Sequence, residues 1–394
     1  LGEIDRVSDS LASVADAVPM PRGQVLVNDI TAHRVLLYDS TFMHAFVVAD
    51  STRATKSAYG TGQGTLIPYR KDTALFIDPS SRSMLVLDAA GKVVRAVAIP
   101  RPNEALYLIG SAFGTPGFDA RGRLVHFSPA SVHGTIVLCC LGTSRRSDIA
   151  FPGDTARPNG SRRIVPMSDS AYVIRVDLAS KVVDTAASIK VASTKLSMNY
   201  DSRGFTKSIE ETPDPLPMVD DWTVLPDGTI AVVRGRDYHV DWILPDGTRQ
   251  SSPAMPFDWQ RVDDKRKLAL IDSAVQASQA SLDITNARLA STGRAGGTPI
   301  PLVTGRPELS DLPDSIPPFT RGAVRADCDG NVWIRTSTIV RGQPVYDIVN
   351  RRGELVDRVQ LPAYRTLAGF APGAVYMSVR DATGMVHLER APVR

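Results

Sequence analysis

The sequence predicts an all-β chain, a six-bladed β-propeller with four antiparallel strands per blade. Three observations predict it. A four-stranded meander recurs along the chain, tight Asp/Gly turns recur in fixed places within it, and the last copy is one strand short while the N-terminus has one to spare.

The clearest copy spans residues 217–256. Trp222-Thr223-Val224-Leu225 runs into the turn Pro226-Asp227-Gly228, and residues 229–233 form a β-branched strand. Residues 238–244 form a third strand, closed by a second turn, Pro245-Asp246-Gly247, and a weaker fourth leads to Met255-Pro256. Proline presets φ, aspartate hydrogen-bonds its own turn, and glycine tolerates positive φ. One such meander cannot bury both its faces, so it must be a unit of something larger. Two pairs of turns and tryptophans in one stretch are thus repeat chemistry, not a site.

The other copies follow in order. From Ser10 come GQVLVND, HRVLLYD and HAFVVAD; from Thr65 come TLIPYRKD, TALFID, SMLVLDAAG and KVVRAVAIP. GFDARGRLVHFS opens the third copy at Gly117, and AYVIRVDLAS with KVVDTAASIKV completes it. GAVRADCDGNVWIRT and VYDIVNRRGELVDRVQLP make the fifth, and from Thr366 only three strands remain. Repeats of roughly forty residues with four strands each are the pattern of a propeller. Closure is expected from the chain ends, with Glu3 to Val7 pairing beside Met385 to Glu389 and hiding an open sheet edge.

Three insertions interrupt the repeat within this single domain of 1–394. Residues 129–170 carry Arg145, Arg146, Arg157, Arg162 and Arg163 with few acids. Residues 193–215 are a polar connection between copies three and four. Residues 260–314 join copies four and five; Leu268, Ile271, Val275, Leu282 and Leu289 fall at helical spacing over 262–290, and a Gly/Pro/Thr-rich loop follows. Loops this long in a compact fold usually carry function or are disordered.

Composition excludes several classes. The chain has 394 residues, 43% hydrophobic and 22% charged, which is ample for a core. A net charge of +3 without a concentrated basic face gives no reason to expect nucleic acid. No apolar run approaches the ~18–20 residues of a membrane helix. Cys139 and Cys140 are adjacent on one strand and Cys328 is remote, so the three cysteines read as buried thiols without a disulfide framework. A start at Leu1 and sparing use of Cys and Lys fit a processed, exported protein, periplasmic and peripheral to a membrane.

Phe118-Asp119-Ala120-Arg121-Gly122, Leu225-Pro226-Asp227-Gly228 and Ala326-Asp327-Cys328-Asp329-Gly330-Asn331-Val332-Trp333 resemble the six-bladed propeller superfamily of NHL-type repeats, the SMP-30/gluconolactonase group and the TolB C-terminal domain. The resemblance covers nearly the whole chain apart from the insertions. It implies a fold and leaves function open, because propellers host binding, scaffolding and several chemistries. Extrinsic subunits of bacterial membrane complexes are among the exported proteins it resembles.

Candidate chemistry is sparse. A calcium-dependent lactonase would need Glu, two Asn and Asp as oxygen ligands at the channel. The inner strands offer Asp50, Asp72, Asp119, Asp220, Asp221 and Asp327, with Asn28 and Asn103, and these do not match the pattern residue by residue. His33, His44, His126, His133, His239 and His387 lack metal spacing, although His126 and His133 flank one loop. Gly60-x-Gly62-x-Gly64 precedes a strand and opens no helix, so it fails as a dinucleotide loop. No Gly-x-Ser-x-Gly elbow is present. No catalytic residue, metal or cofactor is therefore expected. Trp222, Trp242 and Trp333 sit at core positions, and Trp259 is the tryptophan placed for an interface.

The reading that follows is a non-enzymatic accessory subunit of a larger bacterial assembly, on the periplasmic side of a membrane-bound electron-transfer or photosynthetic complex. Its partner-binding residues are Arg145, Arg146, Arg157, Arg162, Arg163, Trp259, Leu268, Ile271 and Val275. The alternatives are a metal-dependent lactonase or hydrolase with its site at the channel, and a carbohydrate- or peptide-binding propeller.

Overall fold

The structure is a computed structural model and describes residues 1–51, 59–130, 162–165, 168–192, 195–202, 206–291 and 300–393. After β1 (Arg6–Val7), the first unit is β2 (Asp16–Pro19), β3 (Val25–Asp29), β4 (Arg34–Tyr38) and β5 (Ala45–Ala49). The second is β6 (Thr65–Pro68), β7 (Ala74–Asp78), β8 (Ser83–Leu87) and β9 (Val93–Ala98). The third opens with β10 (Gly117–Phe118) and β11 (Leu124–Pro129), is interrupted by β12 (Arg162–Val165), and closes with β13 (Ser170–Val176) and β14 (Val183–Lys190). Next come β15 (Lys195–Tyr200) and β16 (Thr206–Thr212). The fourth unit is β17 (Asp221–Val224), β18 (Ile230–Arg234), β19 (His239–Ile243) and β20 (Arg249–Ser251). Helix α1 (Asp264–Ser291) and β21 (Leu302–Thr304) follow. The fifth is β22 (Phe319–Ala326), β23 (Val332–Val340), β24 (Gln343–Val349) and β25 (Leu355–Gln360), and the last is β26 (Arg365–Ala371), β27 (Ala374–Arg380) and β28 (Val386–Pro392).

Each unit is an antiparallel meander in chain order, and the whole is consistent with a β-propeller. The units pack face to face. Between the first and second lie Leu26, Leu37, Phe76 and Leu85; between the second and third, Ile67, Leu75 and Leu124; between the third and fourth, Val125, Val173, Trp222 and Ile230. Leu225, Trp242, Phe319 and Val324 join the fourth to the fifth, Trp333, Tyr346, Phe370 and Met377 the fifth to the last, and Val27, Tyr38, Tyr376 and Leu388 the last to the first. The apolar runs of β3, β4, β7 and β8 are thus buried on both faces by their neighbours, whereas the outer strands β5 and β9 keep Phe46, Val47 and Val94 exposed.

The ends meet. β1 lies antiparallel to β28, with Arg6 opposite Arg390 and Val7 opposite Glu389. The Gly2, Asp5 and Ser8 amides donate to the Pro392, Arg390 and Leu388 carbonyls at 2.7, 3.0 and 2.9 Å. The last unit also joins the first through one parallel pair, Ala17 with Gly369, producing an eight-stranded sheet. A side chain at 369 would put Cβ 2.0 Å from the Ala17 carbonyl oxygen, so the closure needs glycine there.

The insertions differ from expectation. Residues 193–215 were expected to be a polar connection, yet they contain β15 and β16. The second half of 260–314 was expected to be a loop, yet it contains β21, which runs parallel to β16. With β12 these strands form one further sheet, in the order β12-β15-β16-β21. The reason is non-local: β16 buries Thr206, Ile209 and Thr212, a spacing of three that no strand pattern shows, and its partners lie in other insertions. Helix α1 matches the helical spacing, and its Leu282 packs with Leu196, Met198, Ile209, Ile300 and Leu302 in a small separate core. Among the described residues no helix is long and apolar enough to cross a membrane.

Candidate functional site

The first strands of the units, β2, β6, β10, β17, β22 and β26, all contribute to the lining of one cavity of about 900 Å³. Their positions are held by cross-unit bonds. The Thr115 amide donates to the Trp222 carbonyl at 3.1 Å, and the Thr115 hydroxyl to the Val324 carbonyl at 3.1 Å, which ties three units together. At one end the cavity opens between the turns that follow the inner strands. The cationic side chains lining it are Arg70, Lys71, Arg121 and Arg325, and the acidic ones are Asp16, Asp119, Asp227 and Asp327.

The turn aspartates explain the repeat motifs. The Arg121 and Arg123 amides donate to Asp119 at 3.0 and 2.9 Å, and the Arg123 guanidinium adds a bond of 2.7 Å. Asp327 accepts from the Asp329 and Asn331 amides at 2.9 and 2.8 Å and from the Trp333 indole at 3.0 Å. Gly122, Gly228 and Gly330 close these turns at φ +74°, +86° and +82°. At Gly228 a Cβ would meet the Ala120 amide at 2.1 Å, so neighbouring turns touch backbone to backbone at the cavity mouth.

The start of the inner strands is held by a second polar arrangement. Asp221 is buried and accepts from the Trp222 amide at 2.9 Å and from the Ala323 and Val324 amides of the next unit at 2.8 and 3.0 Å. Those amides are presented by a bulge in β22 between Phe319 and Val324. From that bulge the Arg321 guanidinium reaches over the Phe113 and Phe127 rings, 5.2 and 5.8 Å from their centroids. Burial pushes the Asp221 carboxyl up to about 7, against the three amides and Arg321, which pull it down. Farther out on β11, buried His126 is pushed below its ordinary value by desolvation; its Nδ1 lies 2.7 Å from the Phe127 carbonyl.

The sequence-derived residues do not form one surface. Arg145, Arg146, Arg157, His133, Cys139 and Cys140 lie outside the described residues. Arg162 and Arg163 fall on β12. Trp259 is 37% exposed, with its ring edge-on to Phe257 at 5.2 Å. On α1, Leu268 is exposed, Val275 half-buried and Ile271 buried. Of the candidate cation ligands, Asn28 is already committed: its amide donates to Asp16 at 3.0 Å and to the Gly64 carbonyl, and it accepts from Tyr59. Among the described residues no three His, Cys, Asp or Glu side chains stand together as a metal site. Sequence reasoning passed over Arg70, Lys71, Arg121 and Arg325, because basic residues on two separate turns and on strand β22 form no motif; only the tertiary arrangement brings them to one cavity.

No protein-family model matches the chain, and no curated protein does. Solved structures are similar along nearly its whole length at low identity. Virginiamycin B lyase from Staphylococcus aureus is 8% identical, with 97% of each chain covered and a TM-score of 0.39. A gluconolactonase from Xanthomonas campestris is 12% identical, covering 100% of this chain and 89% of its own, at 0.40. The calcium-binding protein regucalcin from Agrobacterium tumefaciens is 12% identical, covering 99% and 96%, at 0.39. At these identities and TM-scores the likeness carries no argument about family or chemistry.

Proposed function

We propose that this chain is a six-bladed β-propeller, closed by its N-terminal segment and carrying one helical insertion, that acts as an exported interaction protein, an accessory subunit of a larger assembly. The ring is its scaffold, and the sheet and helix made by the insertions engage a protein partner. One observation supports the reading. Three insertions at three different places in the repeat, which the ring does not need, converge on one module with its own small core. Trp259, Leu268, Arg162 and Arg163 are the residues assigned to the contact. An interface of roughly 800 Å² per side is the size such a contact requires. Nothing favours an electron-transfer or photosynthetic assembly over another membrane-attached partner.

The test is capture of the partner from native membrane and soluble fractions at low salt, with the full chain and with W259A/L268E as bait. A partner held by the full chain and lost by the variant supports the reading. Recovery of the chain as a free monomer from both fractions would sink it. Turnover of a lactone by the purified chain with added calcium would favour the hydrolase alternative instead.

A further inference from the structure

We propose that the mouth of the central cavity binds a small multivalent anion, a phosphate or polycarboxylate group, through Arg70, Lys71, Arg121 and Arg325. Formally the four lining cations are matched by four lining acids, but the acids are already engaged. Asp119 is held by Arg123 at 2.7 Å and Asp227 by Arg351 at 2.5 Å, both cations from outside the lining. Asp16 accepts from Asn28, Thr65 and the Leu66 amide at 3.0, 3.1 and 3.2 Å, and Asp327 from two turn amides, Asn331 and Trp333. Among the described residues no carboxylate lies within ion-pair distance of Arg70, Lys71, Arg121 or Arg325. Asp16 and Asp327 keep their charge, so with Arg123 and Arg351 set against Asp119 and Asp227 the lining holds four cations against two uncompensated carboxylates, a local excess of positive charge in a chain that carries +3 overall.

Geometry converges these cations. Arg70 reaches from the second unit across to the turn of the third, where a Cβ on Gly122 would lie 2.6 Å from its Nη2. The Tyr69 ring supports the guanidinium at 5.6 Å. Lys71 and Arg121 stand on those same two turns, and Arg325 enters from the fifth unit, across the ring. A cavity of about 900 Å³ admits a small molecule and excludes a folded partner, so the site is separate from the docking module.

The experiment titrates inorganic phosphate and, separately, citrate into the full-length chain by calorimetry, at low and high sodium chloride. One anion per chain is expected, with affinity falling as salt rises. R121Q and K71Q each remove an exposed cation without touching the core, and each is expected to weaken binding about tenfold to a hundredfold. R341Q, on the turn at the opposite end of the fifth unit, is expected to change nothing. Binding of phosphate but not citrate assigns a phosphorylated ligand, and the reverse a polycarboxylate; either supports the site. No binding of either anion, or equal weakening by R341Q, overturns it. Neither result bears on partner capture, which reads the module alone.

Discussion

The ring and the accessory module are built from the same element in opposite ways. Within each unit of the ring, strands pair with their chain neighbours across short turns, as β17 to β20 do, except that β11 and β13 pair across the insertion that carries β12. In the module only β15 and β16 are neighbours; β12 and β21 come from other insertions, and β21 pairs in parallel. The ring's cores lie between units that repeat, and the module's core is, among the described residues, one cluster of seven buried residues. The difference teaches that the ring is stabilised by closure and the module by attachment. Opening should therefore spread through the first and stay local in the second.

The largest expected effect breaks the closure. Deleting residues 1–9 removes β1 and the amides of Gly2, Asp5 and Ser8 that bond to the last strand, and it strips the Arg390–Asp5 pair. Several hydrogen bonds at ~1 kcal/mol each, with re-exposure of an edge, predict a fall in melting temperature of about 5 °C or more. An unchanged melting curve would show that the ring does not depend on its N-terminal strand.

Next come paired core truncations. Trp222 is fully buried between the third and fourth units and donates to the Phe113 carbonyl at 3.0 Å, so W222A is expected to cost about 3–5 kcal/mol. Met198 is equally buried in the module, and M198A is expected to cost ~2–4 kcal/mol. The discriminating readout is hydrogen exchange. W222A should raise exchange in β10, β17 and β22, whereas M198A should raise it in β15, β16 and α1 alone. Loss of ring protection in M198A would erase the distinction.

The smallest effect is a pH dependence at the joint between the fourth and fifth units. With its carboxyl pushed up to about 7, Asp221 contributes stability that is fully present below its ordinary value near 4 and is lost as pH rises through about 7. D221N should therefore flatten the change in urea midpoint between pH 5 and pH 8. Carboxylates held low, such as Asp381 at about 2, titrate below this window and act alike in both proteins. Identical pH slopes in the two proteins would remove Asp221 from the joint.

The sequence by itself determined the repeated four-stranded units. Alternating β-branched runs, Pro-Asp-Gly turns and a missing last strand are local signals, and local pairing reads them out directly. It also determined the helix, because Leu268 to Leu282 keep one spacing over four turns. Only the tertiary structure decided the rest. β16 and β21 look polar or too short to be strands until partners from other insertions bury them. Asp221 looked like one acid among many, and it is set apart by amides that a bulge in the next unit supplies. The cavity cations were invisible for the same reason: a turn residue's charge is local, but the number of charges sharing one mouth depends on the closure of the whole ring.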